Sequence, residues 1–367
     1  MDTILFIGAP GKLLFSESFK NSFAKFNYKI VEPEYLKFSE QNFILKKIKS
    51  QRKKYLDDFF EKQNSLYINA LKNNNIKFVF IVNNSRVTPP FLQYCKQNNI
   101  PVFSYLYDSI RWKDKGLEYI DYYTDIFSYE PSDSSVLIEN YNHVKYIPLG
   151  CDESVYKYNP LREYVYDICF VGTLDKRRLR LLNEVAEFAY KNNKKMIVYT
   201  SVQINKIPHL YLLPKILIRR LKYNFKYKYL MKYLINEPIF GEDLAKLYNE
   251  SKICLNIHVG TELELHTGLN PRGFEILGCR SFELIDEGHL KHTSIKNGKD
   301  IIEFAETNDL MEKIRYYLDN DKERENIAEN GNKKVLEKYT IDKTVEKILK
   351  YIKRVLDSDE YGFEKNI

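Results

Sequence analysis

Residues 251–286, SKICLNIHVGTELELHTGLNPRGFEILGCRSFELID, decide the reading of this chain. The apolar run 253–258 predicts a strand and 281–285 a second one. Between them a loop with two glycines leads into a helix that opens at Asn270-Pro271. Proline suits a first helical turn, where its missing N–H costs nothing, and asparagine is a good N-cap. Asn270, Arg272 and Glu275 therefore crowd one helix start, where free N–H groups and the positive dipole end attract phosphate. Arg272 adds a fork that suits phosphate oxygens, and Glu275, one turn further in, can accept from a sugar hydroxyl. The plainer alternative is a capped amphipathic helix with a surface arginine and glutamate. The order strand, glycine loop, cap and Arg/Glu pair favours the ligand.

These residues also carry a family resemblance. NPRGFEILGCRSFELID resembles the N-x-R-x-F-E-x-x-x-x-G segment of CgeB-like glycosyltransferases, a branch of the GT-B superfamily. Upstream, YIPLGCDESVY and YDICFVGTLDKRR resemble the family's linker and the first strand and loop of its nucleotide-binding domain. Downstream, residues 301–340 resemble its helical C-terminal part. The resemblance implies an α/β GT-B fold, two doubly wound Rossmann-like domains facing across a cleft, with a C-terminal helix crossing back to the first. The expected division is an acceptor-side domain over 1–155 and a nucleotide-sugar domain over 156–340 with a basic insertion at 205–238. Residues 341–367 would form the returning helix and a frayed tail. The implied activity moves a sugar from a nucleotide-diphosphate sugar to a glycan, lipid-linked or protein acceptor in bacterial surface glycan synthesis. The nucleotide sugar serves as co-substrate, and no cofactor is expected. A GT-B nucleotide-sugar epimerase and a non-catalytic nucleotide-sugar-binding or assembly protein are the alternatives.

Periodicity supports the same class. Strand-like runs at 4–7, 78–82, 102–107, 126–129 and 144–147 alternate with helix-like segments at 17–26, 40–71, 89–98, 115–122 and 132–141. The pattern restarts with a strand at 166–172, a helix at 176–190 and a strand at 195–199, and a helix follows at 242–250. Such alternation implies βαβ units and parallel sheets. At 367 residues, the chain is long enough for two domains. Its 44% apolar and 29% charged residues place it among globular proteins. No apolar run reaches the roughly 18 residues that span a bilayer. The N-terminus MDTILFIGAPGK reads as a strand rather than a signal peptide. Five cysteines scattered singly argue against a zinc site or disulfide framework and for a reducing cytoplasm.

The net charge of +7 is local. Residues 188–236 hold eleven Lys or Arg and no acid; with these set aside, 46 basic residues face 50 acidic ones, a balance of −4. The densest part, 214–235 (PKILIRRLKYNFKYKYLMKYLI), interleaves basic with apolar and aromatic residues. Such a stretch predicts a helical projection that touches an anionic membrane surface, peripheral on the inner face of the cell membrane. A solvated insertion whose lysines lie over its own apolar face is the alternative. Nucleic acid is not an expected partner, because one short patch on an otherwise acidic chain makes a poor footprint. A second basic run at 46–54 reads as a solvated helix face.

The remaining candidates follow the strands. Gly8-Ala-Pro-Gly11-Lys12 fails as a phosphate loop, because the glycine spacing is wrong and Leu13 follows the lysine. Gly11 in GT-B enzymes would face the acceptor and sugar. Gly172-Thr173 ends a strand and Arg177-Arg178 opens a helix, so one of the two arginines is expected on the leaving diphosphate and the other in solvent. Asp108, at the end of a strand, is the candidate catalytic base, with a turn aspartate as the alternative. His258 closes another strand and is the second catalytic candidate; a satisfied core histidine is equally open. Glu262, Glu264 and His266 precede the donor helix and reach toward sugar hydroxyls. Many retaining GT-B enzymes carry a glutamate where this chain has Thr267, so retention is not implied. His289 and His292 lack a carboxylate partner in sequence, and no D-x-D occurs. Metal-independent catalysis is expected, with helix dipole and arginine in place of a divalent ion.

Overall fold

The computed structural model describes residues 1–8, 14–36, 49–83, 87–109, 117–133, 143–200, 226–259 and 267–358. They divide into two compact units, Met1–Leu149 with Ile341–Ile367, and Gly150–Thr340.

The first unit is built on six parallel strands: β1 (Thr3–Ile7), β2 (Lys29–Val31), β3 (Phe78–Val82), β4 (Val102–Leu106), β5 (Asp125–Ser128) and β6 (Val144–Tyr146), in the order β2-β1-β3-β4-β5-β6. The runs FVFIV and VFSYL are buried along their whole length, as parallel strands covered on both faces require. Between strands run α1 (Leu14–Lys25), α2 (Lys49–Lys72) and α3 (Pro89–Gln97), the last with proline in its first turn. Phe6, Phe19, Phe23 and Phe80 fill the space under α1, with Phe23 and Phe80 ring centres 4.6 Å apart.

The second unit repeats the plan. Its elements are β7 (Tyr166–Val171), α4 (Lys176–Lys191), β8 (Met196–Tyr199), β9 (Leu234–Ile235), α5 (Gly241–Asn249), β10 (Ser251–Asn256), α6 (Pro271–Gly278), β11 (Glu283–Asp286), β12 (Ile302–Phe304), α7 (Thr307–Asp319) and α8 (Asp321–Lys338). All six strands are parallel, in the order β12-β11-β10-β7-β8-β9. The chain order reverses between β7 and β10, and in open α/β sheets ligands bind beyond the carboxyl ends of the strands at that point. Apolar residues of α4 and α7, among them Leu182, Val185, Leu310 and Ile314, pack on one face of this sheet.

The chain then returns to the first unit as α9 (Ile341–Leu356), whose buried stripe includes Val345, Ile348 and Ile352. Lys25 of α1 pairs with Asp342 at 2.8 Å, Thr344 Oγ1 donates to Pro148 O at 3.1 Å, and Tyr351 meets Phe127 with ring centres 6.0 Å apart.

Three differences from the sequence reading stand out. The short strands β2, β9 and β12 are additional, and residues 301–340, expected to be helical, open with β12. The end of the basic stretch is not a projecting helix. Tyr227 and Leu230 are buried in the second unit's core, and Leu234–Ile235 extends the sheet beside β8. Lys232 lies over the Tyr190 ring at 4.8 Å. Residues 214–225 of that stretch lie outside the described residues, as do Lys46 and Lys47 of the other basic run.

Candidate active site

The site grows from the N-terminus of α6. Asn270 has extended backbone, and its Oδ1 accepts from Gly273 N at 3.1 Å, the expected N-cap, with Pro271 following. A β-carbon at Gly273 would run into the Leu269 side chain, so glycine is what allows that close turn. The cap is itself held from below. Asn256, the last residue of β10, exchanges two hydrogen bonds with Asn270: Asn256 Nδ2 donates to Asn270 Oδ1 at 2.9 Å and Asn270 Nδ2 to Asn256 Oδ1 at 2.8 Å. Asn256 Nδ2 also donates to Glu283 Oε1 at 2.7 Å. Asn270 Nδ2 further donates to His258 Nε2 at 2.9 Å.

His258 carries the network onward. Its backbone N–H donates to Asp286 Oδ2, and its Nδ1 lies 3.2 Å from the same oxygen. A carboxylate accepts only, so Nδ1 carries the proton and Nε2 is left to accept from Asn270. Asp286 also pairs with Arg177 Nη2, while Arg177 Nη1 donates to His258 O at 3.0 Å. Burial pushes the Asp286 carboxyl up, but hydrogen bonds from His258 and Arg177 and the Arg177 charge outweigh it and hold it below its ordinary range. The His289 ring stacks on His258 with centres 3.6 Å apart and planes within 11°. Thus one continuous polar chain, Arg177–Asp286–His258–Asn270–Asn256–Glu283, runs across the carboxyl end of the sheet and fixes the first turn of α6.

The β7–α4 loop forms the other wing. Asp175 caps α4 by accepting from Arg178 N at 2.7 Å. Arg178 is buried: its Nε donates to Ile257 O at 2.7 Å and its Nη1 to Thr173 O at 2.9 Å and Thr173 Oγ1 at 3.1 Å. It therefore anchors the Gly172-Thr173 turn instead of pointing to solvent as expected. Arg177, with a side chain 20% exposed, is the arginine of the pair that reaches the site.

Two carboxyls are buried near the start of α6. Glu275 is 7% exposed, and burial raises it to about 7 against the opposing effects of the Arg272 charge and a hydrogen bond from Tyr156. The Tyr156 hydroxyl also meets the backbone of Gly241, the first residue of α5, whose φ of 59° favours glycine. Next to it, Phe240 presents a half-exposed ring (50%). Glu283 is 1% exposed and raised to about 8 by burial, the Asn256 hydrogen bond opposing that shift. Among the described residues no carboxylate pairs with Arg272.

Gly172, Thr173, Arg177, Asn270, Arg272 and Glu275 thus all belong to the second unit around one switch point. His258 joins them as a buried residue with both ring nitrogens engaged, so it positions the site and offers no nitrogen to a substrate proton. Gly11, Glu264 and His266 lie outside the described residues. Asp108 lies in the first unit, half-buried after β4; its neighbour Ser109 donates to buried Asp133 at 2.6 Å, and Asp133 also accepts from Ser128 at 2.6 Å. Among the described residues, His258, Asp286 and His289 bring metal-ligating atoms within 4.8 Å of one another. Both ring nitrogens of His258 are engaged and Asp286 is committed to Arg177 and His258, so the group reads as a hydrogen-bonded brace. Sequence reasoning missed Asp286, Asn256, Tyr156 and Phe240.

Residues 211–350 match the family described as Glycosyl transferase-like. The spore protein CgeB of Bacillus subtilis (strain 168) is 21% identical over 284 residues, 74% of this chain and 81% of that one. Sucrose-phosphate synthase from Thermosynechococcus elongatus superposes with a TM-score of 0.65 at 11% identity, covering 97% of this chain and 99% of that one. The chain is thus similar to CgeB in sequence, and its fold is that of GT-B glycosyltransferases. Anabaena HepE in complex with UDP-glucose superposes with a TM-score of 0.62 at 10% identity, over 96% of this chain and 100% of that one. Within the CgeB-like segment one position departs from the pattern: Arg280 stands where its final glycine falls, and holds the left-handed backbone (φ 53°) that glycine adopts freely. Arg280 gains compensating contacts, an ion pair with Glu329 at 2.5 Å and a stack on Tyr158 at 4.6 Å. Among the described residues, no helix is long and apolar enough to cross a membrane.

Proposed function

We propose that this protein transfers a sugar from a nucleotide-diphosphate sugar to a saccharide, lipid-linked or protein acceptor, without a metal ion. The observation that supports this most is the braced N-terminus of α6, with Arg272 in its first turn and Glu275 buried close by. A diphosphate placed there meets helix N–H groups, Arg272 and the neighbouring Arg177, which stabilise the charge that develops on the leaving group. Glu275 accepts from ribose hydroxyls. The exposed Phe240 ring, next to Gly241, is our candidate to stack on the base. Asp108 takes the acceptor proton, and Gly11, Glu264 and His266 line the sugar and acceptor. The basic stretch 214–235 draws the enzyme to an anionic membrane surface in the cytoplasm during surface glycan assembly.

The decisive experiment is calorimetric titration with uridine, guanosine, thymidine and adenosine diphosphates, followed by donor turnover in excess chelator. One nucleotide should bind, and Arg272→Ala and Glu275→Ala should each weaken it by about 1–3 kcal/mol. Unchanged affinity in both folded variants would remove the reading. Binding without donor hydrolysis or transfer would favour a non-catalytic nucleotide-sugar-binding protein, and donor isomerisation without an acceptor would favour an epimerase.

A further inference from the structure

A cavity of about 390 Å³ opens in the second unit between α4 and the start of α7. That is within the roughly 300–1,000 Å³ range of small-molecule sites. Arg177, Arg180, Leu181 and Glu184 line one wall at the spacing of a single helix face. Glu306, Thr307 and Asn308, where β12 passes into α7, line the other. Arg180 and Glu184 stand one turn apart, yet neither forms an ion pair with any described residue. Glu306, the N-cap position of α7, makes no side-chain capping bond.

We propose that this cavity is a saccharide-binding site, separate from the nucleotide site and bordering it at Arg177. The chemistry of the walls selects the ligand class. Two guanidinium groups and two carboxylates carry no net charge, so a phosphate entering here would face Glu184 and Glu306 as well as the arginines. A neutral polyol meets forked donors, carboxylate acceptors, an amide and a hydroxyl within one concavity, whose floor is closed by buried Leu181. The location, at the carboxyl ends of β7 and β12, suits a site that holds part of an acceptor or product chain beside the reacting sugar.

The site is tested on the full chain by saturation-transfer NMR and titration with maltotriose, cellotriose and chitotriose. At least one should bind, and the double variant Glu184→Gln/Asn308→Ala should weaken it by about tenfold or more. In the same samples nucleotide diphosphate affinity and the unfolding midpoint should match wild type. Absence of saturation transfer from all three trisaccharides, or binding that survives the double substitution, would overturn the assignment. Trisaccharide binding without nucleotide binding would refute the donor reading and leave this one standing.

Discussion

Asn270→Ala removes four hydrogen bonds at once: the cap to Gly273 N, both bonds exchanged with Asn256, and the donation to His258 Nε2. Each such bond contributes about 1 kcal/mol net, which bounds the loss near 4 kcal/mol. Asn270 is only half-buried, so water can replace part of what is lost, and the expected cost is about 2–4 kcal/mol. For a unit of this size that lowers the thermal midpoint by roughly 4–16 °C. Asn270→Asp separates the components, because its carboxylate still caps the helix but cannot donate to Asn256 or His258. Differential scanning calorimetry should therefore rank wild type above Asn270→Asp and that above Asn270→Ala. If Asn270→Ala shifted the second unit's transition by less than about 2 °C, the polar chain would not be what holds α6, and its link to donor binding would fall with it.

Three further outcomes are expected. Gly273→Ala should destabilise by about 1–3 kcal/mol through its clash with Leu269, and a double-mutant cycle with Leu269→Ala should recover part of that loss; additive effects would refute the clash. Burial holds the Glu283 proton up to about 8, whereas an unfolded glutamate titrates near roughly 4.3. The folded chain therefore binds this proton more tightly, and the associated stability is full at low pH and lost as pH rises through about 8. Glu283→Gln should flatten that decline in a pH series of urea unfolding. Asp286 has the opposite sign: its lowered carboxyl contributes stability at neutral pH that is lost as pH falls below its unfolded value. Asp286→Asn should thus cost about 1–3 kcal/mol at neutral pH, leaving Arg177 without its partner, with the difference shrinking in acid.

Long apolar runs made the main strands legible, and Asn-Pro marked the start of α6 to the residue. The two- and three-residue strands β2, β9 and β12 carried too little pattern to be seen. The burial of Glu275 was not legible, because α6 is buried along Gly273–Gly278 and so has no polar face for periodicity to reveal. Asp286 was invisible as a site residue for another reason. It sits 109 positions from Arg177 and reads locally as the end of an apolar strand. Parallel sheets create such partnerships by bringing carboxyl ends together, and no local window contains them. Tyr156 reaches Glu275 in the same way, across most of the second unit.

The return of α9 to the first unit has a consequence for biosynthesis. The second unit is an insertion between Leu149 and Ile341, and its two ends meet through the Cys151–Thr340 bridge and the bond from Cys151 N to Tyr339 O at 2.9 Å. It can close as soon as Thr340 has left the ribosome. The first unit, although made earlier, lacks the helix that covers α1 until Ile341–Leu356 emerges, and the Lys25–Asp342 pair spans 317 positions. Domains usually fold in the order they are made. Here the order of completion is reversed, and the half-finished N-terminal unit must wait with the seat of α9 open throughout synthesis of the inserted unit. Truncation at residue 340 should leave that seat permanently open and send the chain to chaperones or aggregates, while the inserted unit remains whole.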